Sequence, residues 1–199
     1  GVQGLGVATV EEALELRDAG LRAPVVILGG VYTQAHGEIV ARGLEAVVFD
    51  LSEAERFAEA ARRAGKKALL HVKVDTGMAR LGIAPEGLFD LLAGISRHPE
   101  LVVHGMLTHL SCADEADSSY TRTQLERFVD CLAIAEAAGV RPERIHAANS
   151  AAAMRFPESR YDAVRLGLLL YGAIPSPHVP DPGVRPALAI RTRVASVRS

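Results

Sequence analysis

Short apolar runs recur along the chain, each closed by turn chemistry and followed by a stretch with helical spacing. Gly4 to Ala8 reads as a strand, and Thr9 with Glu12 three residues later forms a capping box for a helix closing at Gly20. Pro24 to Leu28 is the next strand, followed by Gly29-Gly30 and a short helix through Glu38 to Gly43. Ala46 to Phe49 follows, with Ser52 and Glu55 as a second capping box before a helix ending at Gly65. The run from Ala68 to Val74 stops at Asp75-Thr76-Gly77, and Pro85 opens a helix with Leu88, Leu91, Leu92 and Ile95 on one face. Leu101 to Leu107 is a strand. A polar loop leads to the longest helix, its apolar face marked by Leu125, Phe128, Val129 and Leu132. Arg144 to Ala148, a short helix from Asn149 to Phe156, and a last strand from Ala163 to Gly167 complete the pattern.

Seven strand-then-helix units result, where a closed β/α barrel needs about eight. An open doubly wound sheet accommodates seven, but the third glycine of its phosphate fingerprint is missing, since Gly4 and Gly6 are followed by Thr9. The expected fold class is therefore α/β, an incomplete TIM-type (β/α)8 barrel lacking its first unit, over residues 1–172. A proline-rich crossing spans 173–186. The alternation of Leu188, Ile190, Thr192 and Val194 then reads as the first strand of a C-terminal β domain, over 187–199.

Composition narrows the function classes. The 199 residues are 49% hydrophobic and 23% charged, with a net charge of -2, so no general basic surface exists for nucleic acid. No apolar run reaches the roughly 18 residues of a membrane span. Cys112 and Cys131 form neither a disulfide framework nor a metal motif, which fits a cytoplasmic setting.

The candidate chemistry lies at strand ends. Lys73 is set among apolar residues, and alternation puts it on one side with Asp75 while Val72 and Val74 take the other. An ion pair plugging a barrel interior is one reading; a ligand site at the C-terminal strand ends is the sharper one. Arg80, Thr108, His109, Asn149, Ser150 and Arg165 fall on the same rim. His109 alone reads more readily as a hydrogen-bonded structural histidine, and Asn149-Ser150 reads also as a helix cap, but Arg165 inside an apolar strand demands an acceptor. Ser150 and Gly167 open segments whose hydroxyl and backbone N–H groups suit a phosphate.

Four ordered stretches, KVDTGMARLG (Lys73 to Gly82), LTHLSCAD (Leu107 to Asp114), ANSAA (Ala148 to Ala152) and VRLGLLLYG (Val164 to Gly172), resemble the motifs of the alanine racemase family. The resemblance implies pyridoxal 5'-phosphate as cofactor, held in a β/α barrel with a C-terminal β domain. It also implies interconversion of L- and D-alanine by two-base proton transfer at a cofactor Schiff base, a homodimer, and supply of D-alanine for peptidoglycan.

Residue by residue, Arg165 matches the arginine on the pyridine nitrogen and His109 the histidine supporting it. Ser150, with the backbone of Gly167 and Leu168, matches the phosphate cradle, and Asn149 lines the pocket. Arg80 matches the arginine beside the cofactor phenolate and substrate carboxylate. Lys73 matches a lysine often carbamylated to N6-carboxylysine. No catalytic acid or base is expected among these residues: the Schiff-base lysine would precede Gly1, and the opposed tyrosine would come from a partner subunit's C-terminal domain. The chain alone is thus expected to be inactive. Ala79 and Leu107 depart from the family's usual glycine and tyrosine. The competing readings are a racemase of broader range (serine, lysine), a non-catalytic pyridoxal-phosphate barrel, and a phosphate-binding barrel without that cofactor.

Overall fold

The computed structural model describes residues 2–197. Six strands form one wholly parallel sheet in sequential order, β1 (Leu5–Val7), β2 (Val25–Ile27), β3 (Glu45–Val48), β4 (Ala68–Lys73), β5 (Leu101–Leu107) and β6 (Arg144–His146). A doubly wound sheet reverses its strand order at a switch point; this one never does, so each crossover adds the next strand on the same side and the sheet curls toward a barrel.

The crossovers are α1 (Val10–Asp18), α2 (His36–Ala41), α3 (Leu51–Ala64), α4 (Leu88–Ile95) and α5 (Ser119–Ala137), with α6 (Ser150–Arg155) following β6. Thr9 caps α1 through the expected box: its hydroxyl accepts from the Glu12 N–H at 3.3 Å, and the Glu12 carboxylate accepts from the Ala8 and Thr9 N–H groups. Such a cap is worth about 1 kcal/mol.

One core lies between sheet and helices. Leu70 and Val72 of β4 and Val74 just beyond it join Phe57, Leu92, Ile95 and Phe128 there. Full burial of each large side chain contributes about 1.5–3 kcal/mol. Val47 and Leu107 are equally buried but lie apart from that cluster, as the inward positions of a curled sheet should.

Four expectations are corrected. The helix after β3 is capped by Asp50, whose carboxylate accepts from the Glu53 N–H at 2.8 Å; Ser52 instead donates its hydroxyl to Asp50, because the helix starts at Leu51. On α5 the buried stripe is Leu125, Phe128, Cys131 and Ala135, with Val129 exposed. Residues Ala163–Gly167 do not form a seventh strand. They run beside β6 through two backbone bonds, Asp162 N to Ile145 O (3.0 Å) and Arg165 N to Ala148 O (2.9 Å), with no further strand pairing beyond them. Residues 187–197 form no strand either, and Leu188, Ile190 and Val194 stand exposed; 198 and 199 lie outside the described residues.

Candidate functional site

The C-terminal ends of β4, β5 and β6 and the segment after α6 bring the candidate residues together. Arg165 is the hub. Its Nη1 donates to Nδ1 and the carbonyl of His146 (2.9 and 2.7 Å), and its Nη2 donates to the carbonyls of Thr108 (2.7 Å) and Ala147 (3.0 Å). The Nε–H alone has no hydrogen-bond partner among the described residues.

The side chain bonded to Arg165 is His146, from the strand directly beneath, and no hydrogen bond joins Arg165 to the expected His109 among the described residues. His109 reaches the site by charge. Burial, then Arg165, Arg80 and Lys73, push its imidazole down to about 4, so it is neutral at physiological pH.

Below the rim a directed chain of hydrogen bonds runs through the sheet's inner side. A guanidinium can only donate, so His146 Nδ1 accepts and its Nε2 carries the proton. That Nε2–H meets Nδ1 of His71 at 2.9 Å, and His71 in turn donates from Nε2 to Glu45 Oε2 at 2.6 Å. His104 adds a second donor to the same oxygen at 2.9 Å, and Arg144 a third group at 3.4 Å on Oε1. Burial pushes the Glu45 carboxyl up, but the two histidine bonds outweigh it and hold it at about 2. Burial, followed by Arg165, drives His146 down to about 2. Glu45, His71 and His104 gather three ligand-type atoms within 4.8 Å of one another, yet the donor and acceptor roles above already account for them.

Two local devices make this chain possible. A register shift between Leu70 and His71 pairs His71 with Gly105 and leaves His104 as the extra residue of β5, a bulge that aims it at Glu45. Gly105 is where the His71 ring rests: a Cβ there would stand 2.1 Å from His71 Nδ1.

Lys73 is buried at the top of β4. Burial, Arg80 and Arg165 lower its amine to about 8, with Asp75 opposing. Arg80 itself is exposed, on the loop that Asp75 organises by accepting from the Gly77 and Ala79 N–H groups. Three cations thus surround a neutral histidine.

Asn149 caps α6, accepting from the Ala152 N–H and donating to the Leu110 carbonyl, both at 2.9 Å. The Ser150 hydroxyl accepts from the Gly167 N–H (2.9 Å) and the Leu169 N–H (3.4 Å), and a Cβ on Gly167 would meet nothing within 4 Å. Ser150 thus binds together the segment from Gly167 to Leu169 that includes the expected Leu168. The open side of Gly167, beside the Ser150 hydroxyl, leaves room for a phosphate, and Arg165 keeps one N–H for a ring nitrogen.

Sequence reasoning missed Glu45, His71, His104 and His146. For His71 a signal existed, since it lies two residues before Lys73 and must share its side of the strand.

A family model described as the alanine racemase N-terminal domain matches residues 1–175. The chain belongs to the alanine racemase family. An alanine racemase of Symbiobacterium thermophilum is 43% identical over the whole chain, and one of Sorangium cellulosum is 39% identical. The chain spans about half the length of these relatives, 53% of each. Among solved structures, alanine racemase from Streptomyces lavendulae superposes with a TM-score of 0.88 at 37% identity, covering 94% of this chain and 50% of that one. The Clostridium difficile alanine racemase complex with cycloserine gives 0.88 at 34% identity, over 94% and 52%. The racemase half-barrel is therefore the fold of this chain.

Proposed function

We propose that the whole protein is a pyridoxal-phosphate-dependent racemase that interconverts L- and D-alanine. The observation that carries this reading is Arg165, fixed through both Nη atoms by the protein and left with one donor, Nε–H, at the centre of a cationic rim. Bound there, pyridoxal phosphate would supply the electron-withdrawing ring that acidifies the substrate's α-proton.

The chain's own residues would set how strongly it does so. Burial brings Arg165 down only to about 10, so at neutral pH it stays cationic, and a ring nitrogen facing it keeps its lone pair. That tempers the ring as an electron sink and suits reversible proton exchange over side reactions. Ser150 with the backbone of Gly167 and Leu168 would hold the phosphate, Asn149 would brace the wall beside it, and Arg80 would meet the substrate carboxylate.

Lys73 would act as a carbamate. With its amine lowered to about 8, a fraction is neutral at physiological pH; that nitrogen bonds to the carbon of dissolved CO2, releases one proton, and becomes an anion between Arg80 and Arg165. The change removes one of the three cations and puts a negative charge beside the other two.

The two groups that exchange the α-proton are assigned to residues outside these 199, one of them on a partner subunit, so the isolated chain would not racemise alanine. The exposed row of Leu166, Leu168, Leu170 and Tyr171 supports a covering domain or a second subunit on that side. D-alanine made in the cytoplasm would serve the cell wall. Support also comes from a relative: a Bacillus anthracis alanine racemase structure, with 33% identity and a TM-score of 0.86, carries bound L-Ala-P.

The test is turnover by the full-length protein loaded with pyridoxal phosphate, with L-alanine, L-serine and L-lysine compared. Conversion of L-alanine to D-alanine in preference to the larger substrates is expected. Preference for serine or lysine would replace alanine as substrate, and absence of any cofactor absorbance band would end the reading.

A further inference from the structure

Helix α5 turns three polar side chains, Tyr120, Gln124 and Arg127, toward the strand-tip loops, at spacings of four and three that share one face. Tyr120 donates its hydroxyl to the Gly77 carbonyl at 2.7 Å, and Arg127 donates from Nη1 to the Thr76 carbonyl at 3.0 Å. Between them lies Gln124, with no exposed surface.

Its amide is used in full. Nε2 donates to the Thr76 hydroxyl (3.3 Å) and to the His109 carbonyl (3.1 Å), while Oε1 accepts from the Ser111 N–H (2.9 Å) and the Ser111 hydroxyl (3.1 Å). Two donors and two lone pairs are all an amide has. The order continues inward: Thr108 donates its hydroxyl to the Val74 carbonyl at 3.0 Å, so the Thr76 hydroxyl donates to Thr108 at 2.8 Å and is free to accept from Gln124. The carbonyl of that same Thr108 receives Arg165 Nη2.

Gln124 therefore touches both loops that carry the rim. One, residues 75 to 82, holds Arg80 and is closed at its base by Asp75 N to Ile83 O and Ile83 N to Lys73 O, each 2.9 Å. The other begins at His109. We propose that Gln124 is a positioning residue: it fixes the separation of the Arg80 loop from the His109 loop, and so the seat offered to the substrate carboxylate. The phosphate end is independent of it, being built on α6 and the Gly167 segment. The consequence for turnover rests on the racemase reading above; the consequence for the loop does not.

The experiment uses the full-length protein with Gln124→Leu, which keeps the volume and removes all four bonds. Tyr120→Phe loses only one bond on a partly exposed side chain and serves if the first variant folds poorly. Ile39→Val, in the core of α2, is the control for lost stability. Amide exchange at Gly77 and Ala79, the KM and kcat for L-alanine, and the affinity for pyridoxal phosphate are measured for each.

For Gln124→Leu, faster exchange at both amides and a KM raised about tenfold are expected, with kcat and cofactor affinity within about twofold; Tyr120→Phe shifts the same way by less, and Ile39→Val shifts neither. Unchanged exchange overturns the proposal whatever the activity. Faster exchange with unchanged KM, or a parallel loss of cofactor affinity, overturns it too. A wild-type protein that ignores alanine removes the racemase reading, while the exchange measurement still decides whether Gln124 sets the loop.

Discussion

Arg165 and His146 face each other across 2.9 Å, and the arginine's inability to accept fixes the tautomer of the histidine. The same constraint passes through His71 to Glu45, so four side chains from three strands and one loop share a single arrangement of protons.

Cutting this chain in the middle should be costly. His146→Ala leaves His71 Nδ1 without its donor and Arg165 with one bond fewer, inside a closed interior. A loss of about 2–4 kcal/mol is expected in urea unfolding, with weaker cofactor binding. Wild-type stability in the variant would show that the chain contributes little.

Gly105→Ala tests the same chain by crowding. The added methyl would stand 2.1 Å from His71 Nδ1, so the ring must leave its bond to His146 or the strand must shift. Destabilisation of about 1–3 kcal/mol is expected from thermal unfolding, because overpacking a closed site strains its neighbours.

Acid should weaken the fold earlier than carboxylates alone would cause. His109 and His146 fall from 6.5 to about 4 and about 2, and Glu45 from 4.5 to about 2. All three are depressed in the folded state, so the unfolded chain binds more protons as pH falls. Their contribution is complete above about pH 6.5, and is lost through the histidines first and Glu45 below about 4.5. Melting temperature should begin to drop below pH 6.5, and His109→Gln should flatten the part between 6.5 and 4 by about 1–2 kcal/mol. A melting temperature level from pH 7 to 5 would contradict the assignment.

Carbamylation of Lys73 predicts a carbonyl signal in the 13C spectrum of full-length protein supplied with 13C-bicarbonate near pH 8, where the amine titrates. The signal should vanish in Lys73→Gln. Its absence from the wild-type protein would leave Lys73 as a plain amine.

Ala79 sits at φ 56, in the left-handed region, where the family usually has glycine. Ala79→Gly should raise stability by about 0.5–1 kcal/mol, the relief of the Cβ clash offset by the freer unfolded chain. A lower melting temperature would mean the loop draws packing from the methyl.

What could be read from the sequence follows from how local each signal is. Strand β5 was legible to the residue, since Leu101 to Leu107 is apolar but for His104 and Gly105 and lies between Pro99 and Thr108. Ala163 to Gly167 has similar character but lacks a neighbour on its far side; Val164 and Leu166 are exposed, and the ladder stops at two bonds. Lys73 and Arg165 were visible because they interrupt apolar runs, and Arg80, His109, Asn149 and Ser150 because they lie on the segments that follow such runs. The layer beneath was not. Glu45 and His146 are polar residues at strand starts and ends, where solvent is the ordinary partner, and His104 enters only through a bulge that shifts the register by one. Gln124 sits in a helix whose pattern reports packing, and its partners are up to 48 residues away.

The floor beneath Arg165 has a further meaning for isotope behaviour. Because every ring in the row from His146 to Glu45 already holds its proton on the side facing the carboxylate, moving one along would require each ring to switch tautomer in concert while a guanidinium gave up a hydrogen. The row is thus closed to protons at its Arg165 end, however well its rings are aligned toward the carboxylate. A deuteron arriving at the rim thus has no path past Arg165 to the buried carboxylate.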